Sequence, residues 1–264
     1  MTEELSYRAE AAAEYDRAFA HVSAHFLPFL LRAARLGPGQ RALDVATGTG
    51  IAAEAALRLI GVEGSIVAAD LSREMVEKAR QRLEKAPNAS VAVEDGQALS
   101  FPDESFDVVL CSLGLMFFPD PLRGLSEFRR VLRAGGRAAV SVATTPNRSY
   151  NGRITVAVAR YVPSLAEATA RIFALGEATA LQSLFLEAGF ASVETHTEKH
   201  NFTLPSFDTY YGPFECGGAS TGQSLASLPE KIRRAIREEV RRDLADTGGP
   251  IEVKMEIRFA SGQR

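Results

Sequence analysis

The segment Leu43-Asp44-Val45-Ala46-Thr47-Gly48-Thr49-Gly50 holds the residues of this 264-residue chain whose types and spacing most directly imply chemistry. Gly48 and Gly50 carry no side chain, so the backbone can turn sharply there and a ligand can approach it closely. A helix opening at Ile51 would point unpaired N–H groups at an anion. Asp70 follows Gly50 by 20 residues, after a second apolar run. A carboxylate so placed can accept hydrogen bonds from both hydroxyls of a ribose. Asp44, at the junction of strand and loop, suits a ligand with an ammonium group. These residues fit the holding of a nucleoside-bearing cofactor; the plain alternative is a tight turn with no ligand.

Gly48-x-Gly50-x-x-Ala53 also matches the fingerprint of an NAD-binding fold, which keeps an NAD-dependent oxidoreductase open. Three features count against it. Asp44 is ill suited to a pyrophosphate, and the chain is short for a separate substrate domain. None of the six tyrosines has a lysine four positions later, so the short-chain reductase pair is missing.

Other candidates are weaker. His21 and His25, like His196 and His200, are spaced four apart, but no carboxylate or cysteine completes a metal site, and none is expected. Tyr210-Tyr211-Gly212-Pro213-Phe214 either lines a pocket or packs beneath a loop. The segment 229–245 carries six basic residues interleaved with acids, which reads as a solvated helix face rather than a nucleic-acid surface. Cys111 and Cys216 are too few for a disulfide framework and suggest a reducing compartment.

The elements that must position the loop follow a repeating order. Residues 7–35 read as helix, broken or kinked at Pro28 into two. Strands are expected at 41–46, 65–69, 89–93, 106–112 and 137–143, with helices at 51–60, from Ser72 to about 86, and at 121–132. This alternation implies a parallel sheet with helices on both faces. After residue 145 the order loosens: a helix at 176–188, an extended stretch at 192–203, an irregular region at 204–226, a helix at 229–245 and a last strand at 252–259. A hydrophobic share of 46%, a charged share of 24% and a net charge of −3 are those of an ordinary globular protein with no pull toward nucleic acid or membrane. No signal peptide or membrane span is read, so a cytoplasmic location is the default expectation.

Four stations, in order, resemble the class I S-adenosylmethionine-dependent methyltransferases. They are Asp44 to Gly50; Asp70-Leu71-Ser72 with Met75; Asp95 to Phe101 followed by Asp103 to Asp107; and Arg130 to Gly136. The branch most similar is that of the ubiquinone/menaquinone C-methyltransferases and their small-molecule relatives, over about residues 36–143, with Ala46 replacing a common first glycine. The resemblance implies an α/β, doubly wound, mostly parallel seven-stranded Rossmann-like sheet of order 3-2-1-4-5-7-6 and S-adenosyl-L-methionine as cofactor. It implies that Asp44, Ala46, Thr47, Gly48 and Gly50 hold the methionine end and loop, and Asp70 the ribose. Leu71 and Met75 would pack on the adenine, Asp95 and Gly96 would bond its edge, and Cys111 and Ser112 would border the sulfonium.

A single domain, 1–264, is expected, with cap helices at 7–35, a core at 36–203 and 251–261, and a cap insertion at 204–250. The acceptor is expected to be a small molecule, methylated on O or C, and touched by Tyr15, Leu113, Met116, Phe117, Tyr210 and Tyr211. In the quinone branch the fourth strand leads into Phe-Gly-Leu-Arg-Asn; here Leu113-Gly114-Leu115-Met116-Phe117 replaces Arg and Asn. A thioether and a ring favour an acceptor that is neutral and apolar near its reacting atom. The alternatives are the NAD oxidoreductase and a non-catalytic S-adenosylmethionine-binding domain. Oligomeric state and any catalytic base are not legible.

Overall fold

A computed structural model describes residues 9–264, with side chains from Glu14 onward; Tyr7 and Arg8, the start of the expected cap segment, lie outside the described residues. Seven strands form one sheet: β1 Arg41–Val45, β2 Ser65–Asp70, β3 Ala89–Val93, β4 Phe106–Ser112, β5 Leu132–Ala143, β6 Ala191–Leu204 and β7 Ile251–Gln263. Their order is β3-β2-β1-β4-β5-β7-β6. The first five are parallel, and β7 runs antiparallel to both β5 and β6. This is the expected Rossmann-like sheet.

The strand residues alternate between two cores, as the period of two requires. Ala42, Ala68, Val108, Leu110 and Ala139 join the core under α1 (Ala9–Ala33) and α2 (Ile51–Ile60). Leu43, Val45, Val109, Cys111 and Val140 join the core on the other face, under α4 (Pro121–Val131) and α7 (Ala178–Glu187). Small residues on α2, Ala52, Ala53 and Ala56, are buried, which lets the helix following the glycine loop lie close to the sheet. α3 (Arg73–Leu83) starts at Ser72, whose hydroxyl accepts from Met75 N at 3.3 Å.

Several expectations need correction. Pro28 does not divide the first segment; α1 runs through it as one helix, with Pro28 exposed and Phe26, Leu27, Leu30 and Leu31 buried around it. Burial of that face outweighs one lost backbone bond and a ring clash, worth roughly 3 kcal/mol. The region 204–226 is not irregular: it contains α8 (Phe207–Glu215) and α9 (Ala219–Ala226). Phe207, Tyr210, Tyr211 and Phe214 recur at i, i+3, i+4 and i+7 and are all buried, a helical face obscured by Gly212-Pro213. The loosened stretch after 145 contains α5 (Gly152–Tyr161) and α6 (Ala166–Ala174). α10 (Glu230–Asp243) matches the expected amphipathic helix and buries Ile236 and Val240. Among the described residues no helix is long and apolar enough to cross a membrane.

Candidate active site

The loop after β1 sits at the carboxyl end of the sheet, where the strand order reverses between β1 and β4. Three of its residues have left-handed backbone: Ala46 at φ 56°, Gly48 at 57° and Gly50 at 85°. Around Gly48 the space is open, with nothing within 4 Å of where a Cβ would stand. At Gly50 a Cβ would press Ala79 at 3.2 Å, so glycine lets α2 and α3 approach.

Asp70 ties the neighbouring strand ends together. Its Oδ2 accepts from Gly48 N at 2.8 Å and its Oδ1 from Ser72 N at 2.9 Å. Burial raises its pKa, against the pull of the amides of Ser72, Gly48 and Leu71. Each carboxylate oxygen keeps a second lone pair for a ligand donor.

Asp44 is fully buried. Thr47 Oγ1 donates to its Oδ2 at 2.5 Å, while Oδ1 has no partner. Burial pushes its pKa up to about 7; the Thr47 hydroxyl opposes the rise, Asp70 adds to it, and the Ala53 amide at the start of α2 opposes it weakly. A buried carboxylate oxygen without a donor costs free energy until a cation or N–H meets it. The ammonium group of S-adenosylmethionine fits that need.

Beyond Asp70, Leu71 is 43% exposed and Met75 is buried in the first turn of α3. Asp95 follows β3, and its Oδ1 accepts from Gln97 N at 2.9 Å. Gly96 is buried, and a Cβ there would collide with the Phe118 ring and Val45. Ser112, at the end of β4, is half-buried. The Cys111 side chain is wholly buried in the core of the opposite face, and burial drives its thiol pKa up. Its sulfur packs at Gly114, against the turn that follows β4.

Beside the loop a narrow cleft of about 60 Å³ brings together Tyr15, Leu113, Met116 and Phe117. Phe19, Phe173 and Met255 complete its apolar wall, and Ser149, Asn151, Thr155 and Thr221 supply polar edges. Asn151 Nδ2 donates to Thr221 Oγ1 at 2.8 Å, and the Thr155 and Thr221 hydroxyls are 2.9 Å apart. Among the described residues no Asp, Glu, Lys, Arg or His lines the cleft. Leu113 and Ala219 on its wall have φ of 55° and 59°, strained values for residues with side chains.

Tyr210 and Tyr211, expected to touch the acceptor, are buried and are not part of this lining. Tyr210 OH donates to Tyr150 O at 2.7 Å in the core. The Tyr211 ring stacks on Phe207, 5.1 Å between centroids, beneath the Arg237 guanidinium. The histidines are likewise packing groups: His25 stacks on His200 at 3.7 Å, and His21 Nε2 bonds Tyr150 OH at 3.1 Å.

The sequence reading missed a clasp over the loop. Thr49 Oγ1 donates to Asp16 Oδ1 of α1 at 2.6 Å, and Arg82 of α3 pairs with Asp16 as well. Arg82 Nε also donates to Thr49 O at 2.7 Å. No local pattern announces a contact between positions so far apart in sequence. It also missed the Asn151–Thr155–Thr221 group, because α5 and α9 were not foreseen.

A methyltransferase domain family matches residues 43–140. The chain is 37% identical to a demethylmenaquinone methyltransferase of Clavibacter sepedonicus over 168 residues, covering 59% of this chain and 67% of that protein. It is 36% identical to the ubiquinone/menaquinone biosynthesis C-methyltransferase of Teredinibacter turnerae over 124 residues, 46% of this chain and 50% of that one. It thus spans about half to two thirds of these relatives. Among solved structures, phosphoethanolamine N-methyltransferase 2 of Haemonchus contortus in complex with S-adenosyl-L-methionine is similar in fold. Its TM-score is 0.61 at 19% identity, covering 97% of this chain and 57% of that one. With Asp44, the glycine loop and Asp70 set at the carboxyl end of a 3-2-1-4-5-7-6 sheet, the chain belongs to the class I S-adenosylmethionine-dependent methyltransferases.

Proposed function

We propose that this enzyme methylates, on oxygen or carbon, a small neutral acceptor that is apolar around its reacting atom and is not a quinone precursor. The observation that carries this reading is the cleft beside the cofactor loop, walled by Tyr15, Leu113, Met116 and Phe117 with no charged side chain among the described residues that line it. An anion buried there would have no counter-charge, a cost of several kcal/mol by order of magnitude.

Asp44 would hold the ammonium end of the cofactor and Asp70 the ribose, with Leu71 and Met75 against the adenine and Asp95 and Gly96 at its edge. When bound, S-adenosylmethionine supplies a methyl group already activated by the sulfonium charge, so the protein's task is positioning and exclusion of water. Among the described residues no carboxylate or imidazole lines the cleft to act as a base, which favours an acceptor that needs little help in losing a proton. The Asn151–Thr155–Thr221 group orients a hydroxyl or carbonyl on it.

α1 and the 204–250 insertion form the cap over this site. In support, Tyr15 and Phe19 of α1 and Ala219 to Thr221 of α9 line the cleft opposite Leu113 and Phe117. At about 60 Å³ the cleft is narrow, and an acceptor enters as the cap moves. Nucleic acid is a poor partner, because three of the five α10 arginines are held by carboxylates: Arg234 by Glu230 and Arg237 by Asp208, each at 2.6 Å, and Arg241 by Asp208 at 3.4 Å.

Phe117→Ala tests the pocket wall. The expected result is a fall in acceptor turnover with S-adenosylhomocysteine affinity unchanged. Loss of stability with both ligand responses intact would place Phe117 in the core instead.

A further inference from the structure

A cavity of about 140 Å³ opens at the amino-terminal edge of the sheet, the opposite end of the strands from the cofactor loop. Its lining includes Arg35, Gln40, Asp107 and Arg137. Arg137 is only 6% exposed, yet its one side-chain hydrogen bond goes to the neutral Ser261 Oγ, at 3.2 Å. Among the described residues no carboxylate forms an ion pair with it.

The nearby acids are committed elsewhere. Asp107 accepts from Arg41 N with one oxygen and pairs with Arg133 through the other, both at 2.7 Å. Glu194 pairs with Arg35 at 2.9 Å on the exposed rim. Gln40 turns its Oε1 to Gly37 N at 2.8 Å, which leaves its amide nitrogen as a donor. Burial, and then the nearness of Arg35, lower the Arg137 pKa; the Glu194 carboxylate, itself paired with Arg35, opposes the shift without reversing it.

A guanidinium taken out of water without an anion is costly, and its planar fork matches the two oxygens of a carboxylate or phosphate. We infer that this cavity binds a small oxyanion, a carboxylate or phosphate group, held by Arg137 with Arg35 and Gln40 beside it. The space is sufficient: a water's share of liquid volume is about 30 Å³. Its place at the far end of the strands separates it from methyl transfer. The bound anion would pin the carboxyl end of α1, where Ala34 and Arg35 line the cavity, to the start of β5.

Titration calorimetry of the full chain with inorganic phosphate, and separately with succinate, at ionic strength held constant by sodium chloride, tests the site. Wild type is expected to bind at least one of them saturably, and which one identifies the source of the oxyanion. Arg137→Gln should weaken that binding about tenfold or more, the loss of a charge-assisted bond. Arg35→Gln, a change on the exposed rim, should weaken it by a smaller factor. S-adenosylhomocysteine affinity should be unchanged in both variants, which shows that they fold and separates this outcome from any failure at the cofactor loop. Absence of saturable binding to wild type, or undiminished binding by Arg137→Gln, overturns the inference. If Arg137→Gln does not fold, Arg35→Gln decides, and unaltered binding there overturns it.

Discussion

Asp44 enters the folded protein with one oxygen bonded to Thr47 and the other without a hydrogen bond, and its pKa rises from 3.8 to about 7. The protonated form is thus favoured by folding. That contribution is full below the unfolded pKa and is lost as pH rises through about 7. A cation at the open oxygen favours the ionised form instead, so binding must release a proton below that pH. S-adenosylhomocysteine affinity should therefore rise between about pH 5.5 and pH 7.5, with up to roughly one proton released near the lower end. Calorimetry in buffers of different ionisation enthalpy reads this directly, and Asp44→Asn should flatten the profile; a flat wild-type profile would remove Asp44 from the site. Asp70 has a double duty, since it already accepts from Gly48 and Ser72. Asp70→Ala should weaken cofactor binding by about 1.5–3 kcal/mol and also lower stability by about 1 kcal/mol, read by titration and by denaturant melt. Unchanged affinity in a folded variant would contradict its role. Both aspartates were legible because their pattern with Gly48 and Gly50 is local. Tyr210 and Tyr211 misled because an aromatic run reads equally well as pocket wall or core, and only their spacing with Phe207 and Phe214 separates the two.

At the level of elements, the turn after β1 and the turn after β4 are packed against each other. Ala46 holds a left-handed conformation at φ 56°, and a Cβ on Gly114 would meet the Ala46 Cβ at 2.5 Å and Cys111 Sγ at 2.8 Å. Gly114→Ala should therefore destabilise the protein by about 1–3 kcal/mol through overpacking. Ala46→Gly in the same chain should restore part of that loss, because it removes one of the two collisions and relaxes the strained φ. Thermal melts of the four-member cycle check this; strict additivity would mean that the two turns do not touch. The Asp16–Thr49–Arg82 clasp joins α1, the loop and α3 in the same way. Asp16→Ala should raise hydrogen exchange in the first half of α1 and speed release of S-adenosylhomocysteine, while exchange in β4 and β5 stays as it was. Strands and their flanking helices were readable because periodicity and glycine punctuation are local signals. The persistence of α1 through Pro28, and α5, α6, α8 and α9, were not, since burial against distant elements stabilises them.

For the molecule as a whole, one sheet separates two kinds of surface. The carboxyl ends of the strands carry the aspartates, the glycine loop and an uncharged cleft; the amino ends carry paired and unpaired arginines. The alternation of elements made a parallel sheet legible, and its strand order came only through the family resemblance that the four stations carry. The dinucleotide reading of Gly48 and Gly50 fails, because the matched family and the curated relatives are methyltransferases. What the linear order could not show is the shape of the cleft, which α1, the turn after β4, α5, α6 and α9 build together with the strands β5 and β7. The most direct measurement is S-adenosylhomocysteine formation by the purified chain with acceptor pairs that differ only in charge, such as phenolic methyl esters and their free carboxylates. Turnover should be confined to the neutral member of each pair; faster methylation of the anionic member would contradict the neutral, apolar acceptor proposed for this cleft.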